Sequence, residues 1–194
     1  MCEINRSYEE TVPQEVFQTF DDKYCLSVVN DTSHCSKVLT WFHDLSVTRY
    51  LEVRFHQQTL RDIEEFFKSH FTRNSVLIGI FYDSELIGYY SLKWSPIHKV
   101  GEIGVVIGEK RHWGKGVVKI TRPTIVRAMF SFFNLYKIQG RVYASNRSSV
   151  RGYEDEGWNR EAVLQEQFIF KGRRVDEIIF SIKKDSFFGV TKND

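Results

Sequence analysis

The sequence predicts a mixed α/β domain organised around a β-sheet. Three observations carry that prediction. Residues 75–94 hold two runs rich in β-branched and aromatic residues, joined by the turn-like Asp83-Ser84-Glu85. Residues 117–133 then show a helical pattern. Behind it, strand-like and helix-like stretches continue to alternate, which alone establishes mixed α/β and no more. At 194 residues the chain suits one domain with a substantial core.

Taken in order, residues 1–13 are polar and acidic and read as a loose tail, without the apolar stretch of a secretory signal. Residues 24–29 read as a first strand. Residues 33–43 suit a helix, with Asp31, Thr32 or Ser33 as its N-cap. Residues 46–56 are mixed in character, irregular or briefly helical. A second helix starts at Thr59-Leu60-Arg61-Asp62, with Leu60, Ile63, Phe66, Phe67 and Phe71 on one face. The hairpin at 75–94 follows, then a strand at 101–107. Gly104 inside that strand predicts a bulge or a close neighbour. Pro123 sits inside the helical pattern at 117–133, so either the helix kinks there or it starts later, capped by Thr121. Residues 138–144 read as a strand and Asn146 opens another helix. Residues 168–170 and 175–182 flank Lys171-Gly172-Arg173 as a final hairpin. Residues 14–184 are expected to be one domain and residues 185–194 a C-terminal tail.

Composition excludes several classes. Net charge is +2, with Lys and Arg scattered rather than striped, so nucleic acid is not an expected partner. The strongest apolar run, residues 76–82, is too short to span a bilayer, and no membrane partner is expected. Three cysteines, Cys2, Cys25 and Cys35, without a C-x-x-C pair argue against a disulfide framework and suit a reducing cytoplasm. The six histidines form no H-x-x-x-H pair, and His34-Cys35 with Cys25 is the only metal-like grouping, so no metal is expected. Neither G-x-S-x-G nor G-x-G-x-x-G occurs, which removes support for an α/β-hydrolase or a nicotinamide-binding fold.

Two motifs point to a chemistry. Arg111-His112-Trp113-Gly114-Lys115-Gly116-Val117 has the form R-x-x-G-x-G between a strand and a helix. Such a turn aims several backbone N–H groups one way at the positive end of a helix, a seat for phosphate or pyrophosphate. About thirty residues on, Asn146, Ser149, Tyr153, Glu154, Gly157 and Trp158 form N-x-x-S-x-x-x-Y-E-x-x-G-W. The first run resembles the acetyl-CoA loop of the GNAT acetyltransferases, Q/R-x-x-G-x-G/A, and the second resembles their fourth helix. The resemblance covers roughly residues 75–184 and is looser over residues 31–71. The element order β-α-α-β-β-β-α-β-α-β-β is also that of the superfamily. It implies the GNAT fold, a mostly antiparallel twisted sheet of about six or seven strands flanked by about four helices.

The resemblance also implies roles. Val105, Val106 and Ile107 would offer backbone bonds to pantetheine, and Arg111 through Val117 would offer N–H groups to the pyrophosphate of acetyl-CoA, the expected co-substrate. Lys110, Lys115 and Lys119 are candidates for added phosphate charge. Asn146 and Ser149 would meet the cofactor arm. Tyr153 matches the tyrosine that protonates the leaving sulfur. Glu102 matches the carboxylate on the fourth strand that takes the amine's proton. That base matters because a lysine-like amine is only about 0.04% neutral at pH 7, whereas an α-amine is roughly 10–17% neutral. Residues 41–56 would build the acceptor pocket, with Arg49, Tyr50, Arg54 and His56 as substrate-binding candidates. Residues 47–55, with Gly172 and Asp176, resemble the branch holding ribosomal-protein N-terminal and amino-sugar acetyltransferases. The leading expectation is acetyl transfer to a primary amine of a small molecule, such as an amino sugar or nucleotide sugar, by direct attack in a ternary complex. The alternatives are a protein N-terminal α-amine as acceptor, and a non-catalytic acyl-CoA-binding module, against which Tyr153 and Asn146 speak. A homodimer stays open.

Overall fold

The computed structural model describes residues 23–189. Residues 1–13, Cys2 and residues 190–194 lie outside the described residues. The strands are β1 (Cys25–Val28), β2 (Ser75–Tyr82), β3 (Glu85–Ser95), β4 (Val100–Ile107), β5 (Lys137–Tyr143), β6 (Asn159–Phe170) and β7 (Arg173–Lys183). The helices are α1 (Cys35–Phe42), α2 (Leu45–Thr48), α3 (Leu60–Lys68), α4 (Val117–Ser131), α5 (Arg147–Asp155) and α6 (Lys184–Phe188), with 3₁₀ turns at Glu52–Phe55 and Lys110–His112. All seven strands join one sheet in the order β1-β2-β3-β4-β5-β7-β6. Every pairing is antiparallel except β4 with β5.

The sheet is covered on both faces. One core gathers Ile78, Tyr90, Leu92 and Ile103 from the sheet against Val117, Ile125, Met129 and Phe130 of α4 and Tyr153 of α5. The other sets Leu77, Leu86 and Tyr89 against Val38, Trp41 and Phe42 of α1 and Ile63 and Phe67 of α3. Strand alternation assigns the faces: Val105 packs on the first core and Val106 on the second.

Local chemistry explains most boundaries. The Thr59 hydroxyl accepts from Asp62 N at 3.3 Å while Thr59 N donates to Asp62 Oδ2 at 2.8 Å, a reciprocal cap that starts α3. For α1 the expected cap is corrected: His34 is the N-cap residue, and Asp31 closes the preceding turn by accepting from Ser33 N at 2.9 Å. The β2–β3 turn places Asp83 and Ser84 at φ of 49° and 63°, the twist a tight hairpin needs. The β3–β4 register is unbroken, and a Cβ on Gly104 would stand 2.7 Å from Ser91 Oγ. Gly104 therefore marks a close neighbour and not a bulge.

One stretch decides between the alternatives of the sequence reading, and two extend beyond it. α4 begins at Val117 and runs through Pro123, so the later start after Thr121 is excluded. Thr121 is buried, donating to Val117 O at 2.8 Å and paired with the Tyr90 hydroxyl at 2.8 Å. β6 extends back to Asn159, far beyond the expected residues 168–170. Its register breaks between Arg160 and Ala162 and between Leu164 and Phe168, with Glu166 at φ 52°. Asp176 secures the second break by accepting from Glu166 N at 2.9 Å. Residues 185–188, read as the start of a tail, lie in α6, and Phe187 packs on the first core.

Trp41 locks α1 onto the end of β4. Its ring lies where a Cβ on Gly108 would stand, 1.8 Å from Cδ2, and its Nε1 donates to Glu109 Oε1 at 3.1 Å. Gly108→Ala should therefore destabilise the fold by roughly 1–3 kcal/mol through overpacking. Thermal unfolding should show a lowered Tm that Trp41→Leu largely relieves in the double variant. An unchanged Tm for Gly108→Ala would refute this contact.

Candidate active site

β4 and β5 pair only at their starts, Val100 with Lys137, Gly101 with Ile138 and Glu102 with Gln139. Beyond that point β5 stays paired with β7 and β4 with β3, so the two strands diverge. The β4 edge from Ile103 onward carries no strand on its β5 side. A cleft of about 910 Å³ opens in the fork. Its walls come from β4 (residues 103–107), the following loop, the first turns of α4, α5, the ends of β5 and β7, and residues 46–52.

At the loop end, Gly114 and Gly116 have φ of 71° and 75°, and a Cβ on either would meet nothing within 4 Å. Backbone conformation, not crowding, demands glycine there. Gly116 is the N-cap residue of α4, and no side chain caps the helix. The first-turn amides of Val117, Val118 and Lys119 are left without intrahelical acceptors, at the positive end of a fifteen-residue helix. Trp113 Nε1 donates to Ile107 O at 2.8 Å and ties the loop to the end of β4. His112 is 5% exposed beneath the loop, against the Tyr82 ring. Burial first, then Lys115 and Arg111, holds its pKa below the usual histidine value, so it is neutral.

The loop's charged side chains point elsewhere. Arg111 pairs with Glu85, and both line a separate pocket of about 290 Å³ together with Lys115. Lys110 is bound to Asp44 at 2.6 Å. Of the three candidate lysines, Lys119 lines the cleft. The cleft wall also includes Val105, Val106, Ile107, His112, Trp113, Gly114, Gly116, Val117, Asn146 and Ser149, while the Arg111 and Lys115 side chains stand off it. Asn146 caps α5, its side chain accepting from Ser149 N at 3.4 Å. This set fits a diphosphate with an extended amide arm: uncapped helix amides for the anion, and an unpaired strand edge for the arm.

Tyr153 stands at the base of the fork. Its ring stacks on Phe180 at 5.0 Å, and its hydroxyl fills the space a Cβ on Gly140 would need, at 2.1 Å. Gly140 directly follows the last β5 residue paired with β4. Burial raises the phenol pKa, opposed by the Arg122 guanidinium centred 4.0 Å from the ring. Tyr153 is thus a protonated donor at neutral pH. Glu102, the last β4 residue paired with β5, is exposed and lies on the Val106 face, just outside the cleft wall.

The end of the cleft formed by residues 46–52 is aromatic and charged. Tyr143 stacks on Phe168 at 4.0 Å and Tyr50 on Phe170 at 4.8 Å. The Tyr50 hydroxyl donates to Ser145 O at 2.9 Å, and Tyr143 donates to Glu52. Arg49 lines the cleft with its guanidinium over the Tyr50 ring. Arg54 acts as a strap beside the cleft: it donates to Arg49 O and Ile169 O and lies over Tyr143 and Phe170. His56 is exposed and off the cleft.

Several cleft residues escaped the sequence reading. Arg141 forms a two-point pair with Glu177, at 2.8 Å and 2.7 Å, and Glu177 is 2% exposed. No local motif announces that pair; only the β5–β7 register brings the two together. Arg122 and Glu156 meet at 3.5 Å, from an apolar helix and from the end of α5. Among the described residues no group of three or more His, Cys, Asp or Glu could hold a metal ion. No described helix is long and apolar enough to cross a membrane.

Burial pushes the Glu156 carboxyl up to about 7, against the pull of Arg122. The folded state then binds this proton more tightly than the unfolded chain. Its contribution is most favourable below the ordinary value of 4.5 and is lost as pH rises toward 7. Glu156→Gln should remove roughly 1–3 kcal/mol of the stability lost between about pH 5 and about pH 8. Thermal unfolding at both values checks this, and equal losses in the two chains would contradict it.

Comparison with known proteins agrees with the geometry. The model of the acetyltransferase (GNAT) domain matches residues 26–159. Spermidine N(1)-acetyltransferase of Vibrio cholerae is 27% identical over 144 residues, covering 71% of this chain and 83% of that protein. A structure of the Vibrio cholerae spermidine N-acetyltransferase with CoA and spermine superimposes with a TM-score of 0.77 at 21% identity, covering 87% of this chain and 99% of that one. The ribosomal L7/L12 α-N-protein acetyltransferase RimL with CoA gives a TM-score of 0.77 at 13% identity, covering 86% and 97%. The fork, the uncapped glycine-led helix and the family match agree: the chain belongs to the GNAT acetyltransferase family and is an acetyl-CoA-dependent N-acetyltransferase.

Proposed function

We propose that this enzyme acetylates a primary amine of a small aliphatic polyamine. The observation that carries this reading is the acceptor end of the cleft. Its aromatic wall of Tyr50, Tyr143 and Phe168 stands beside the carboxylate of Glu52, whose charge no cation among the described residues neutralises, while Glu177 is matched by Arg141. Rings and carboxylates together suit alkylammonium groups. Arg54 and Arg141, which would repel such a chain, are spent on carbonyls, rings and Glu177. The spermidine N(1)-acetyltransferase of Vibrio cholerae, similar over 71% of this chain, supports the same class. An anionic handle on an amino sugar would find Arg49 alone of the three basic residues Arg49, Arg54 and His56, because the other two do not line the cleft.

When bound, acetyl-CoA supplies a thioester carbonyl at the fork. The amides of Val117, Val118 and Lys119 hold its diphosphate, and the Lys119 side chain adds charge. Val105, Val106 and Ile107 pair with the arm, and Asn146 and Ser149 border it. The amine nitrogen attacks the carbonyl carbon and the carbon–sulfur bond breaks. The amine's proton passes to Glu102 through solvent at the fork. Tyr153 gives its hydroxyl proton to the departing sulfur and regains one from solvent.

Thiol release against a panel of spermidine, glucosamine phosphate and a free-amine peptide tests the acceptor. Spermidine should give the highest kcat/KM; a response to the peptide alone would overturn the polyamine reading. Tyr153→Phe should lower kcat at least about tenfold while CoA still raises Tm. Undiminished turnover would remove Tyr153 from the reaction.

A further inference from the structure

Arg122 is a charged side chain in an apolar place. It is 3% exposed, yet it borders the cleft. Its Nε and Nη1 have no hydrogen-bond partner. Glu156 Oε2 lies 3.5 Å from Nε, close enough for ionic attraction but too poorly placed to take the hydrogen. The guanidinium carbon sits 4.0 Å from the centre of the Tyr153 ring, a cation–π contact that leaves Nε and Nη1 without an acceptor. Leaving buried charged donors unmet is costly, so the site is built for an acceptor that arrives from the cleft.

The position along α4 indicates which acceptor. Arg122 stands five residues after Val117, about 7–8 Å down the helix axis from the uncapped amides. It therefore lies past the phosphate seat, and it touches Tyr153 at the fork. Gly152 of α5 lies close beside the guanidinium: a Cβ there would come 3.6 Å from Nη2, an ordinary contact distance. Whatever fills this stretch spans the seat and the fork. In the co-substrate that part is the amide-bearing pantetheine arm, whose carbonyls are neutral and strong acceptors.

We propose that Arg122 is a cofactor-arm residue: its unmet N–H groups donate to an amide carbonyl of pantetheine while the guanidinium stays in contact with the Tyr153 ring. The inference rests on the phosphate seat proposed above. The arm would then be read from both sides, by the backbone of β4 and by one charged side chain of α4. The rise in the Glu156 carboxyl pKa fits this division, because a partly neutral Glu156 leaves the guanidinium free to serve the arm. Other groups acting on Glu156 are Trp158, through a side-chain hydrogen bond, then Lys119 of α4 and Asp155 of α5, and Tyr90 of β3 lies within reach of both Arg122 and Glu156.

Two ligands separate the seat from the arm: adenosine 3′,5′-bisphosphate, which has no pantetheine, and CoA. Calorimetry on Arg122→Met should show bisphosphate affinity within about twofold of the unaltered chain and CoA affinity reduced about tenfold or more. Arg122→Lys should recover part of that loss. A merely structural Arg122 would weaken both ligands alike, and that result, or unchanged CoA affinity in a folded variant, would overturn the proposal. Nitrogen NMR of the unaltered chain needs no variant to fold: CoA should shift the Arg122 Nε–H resonance and bisphosphate should not. No shift at saturating CoA would also overturn it. If bisphosphate fails to bind while CoA moves Arg122, the phosphate seat falls and the arm contact stands.

Discussion

The parting of β4 from β5 is the constraint on which the rest of the molecule depends. A sheet normally keeps neighbouring strands hydrogen-bonded, since unmet backbone groups are costly when buried. Here β4 is fully paired with β3 and β5 with β7 on their outer edges, while the edges that face each other part after Glu102 and Gln139. The parallel contact is confined to residues 100–102 and 137–139. What remains is a rigid notch through the sheet, with a strand edge along one side. Both cores clamp its flanks, and Gly140 makes room for the tyrosine hydroxyl at the vertex.

Electrostatics around the notch follow a consistent division. At the loop, the side chains of Lys110 and Arg111 are engaged with Asp44 and Glu85, so peptide dipoles face the cleft. At the far end, the carboxylates of Glu52 and Glu177 are held by Tyr143 and Arg141. Fixed partners of this kind lower the reorganisation needed when charge shifts during acyl transfer. Arg122 is the exception, a cation with donors left open.

Much of this was legible in the chain because it is encoded locally. The glycines at 114 and 116 specify a backbone conformation, and Asn146, Tyr153 and Trp158 sit at fixed helical offsets, so loop and helix could both be located. The β2–β3 hairpin was visible for the same reason. What escaped depends on register. Arg141 and Glu177 are thirty-six residues apart and meet only through β5–β7 pairing. β6 was underestimated because two register breaks and the polar run Gln165-Glu166-Gln167 interrupt its alternation. The partners of Arg54 were not legible either, because the Ile169 carbonyl and the Phe170 ring come from a segment more than a hundred residues away.

That strap has an evolutionary corollary. Arg54 joins the segment after α2 to the β6–β7 hairpin, beside the Tyr50–Phe170 stack, so side chains off the cleft wall help hold two of its walls together. Descendants of this enzyme could exchange one nucleophile for another by loosening or shortening that tether, leaving the acyl-donor half of the machine untouched. Diversification of substrate range would then be inherited through the hinge between two walls and not through the residues that move protons.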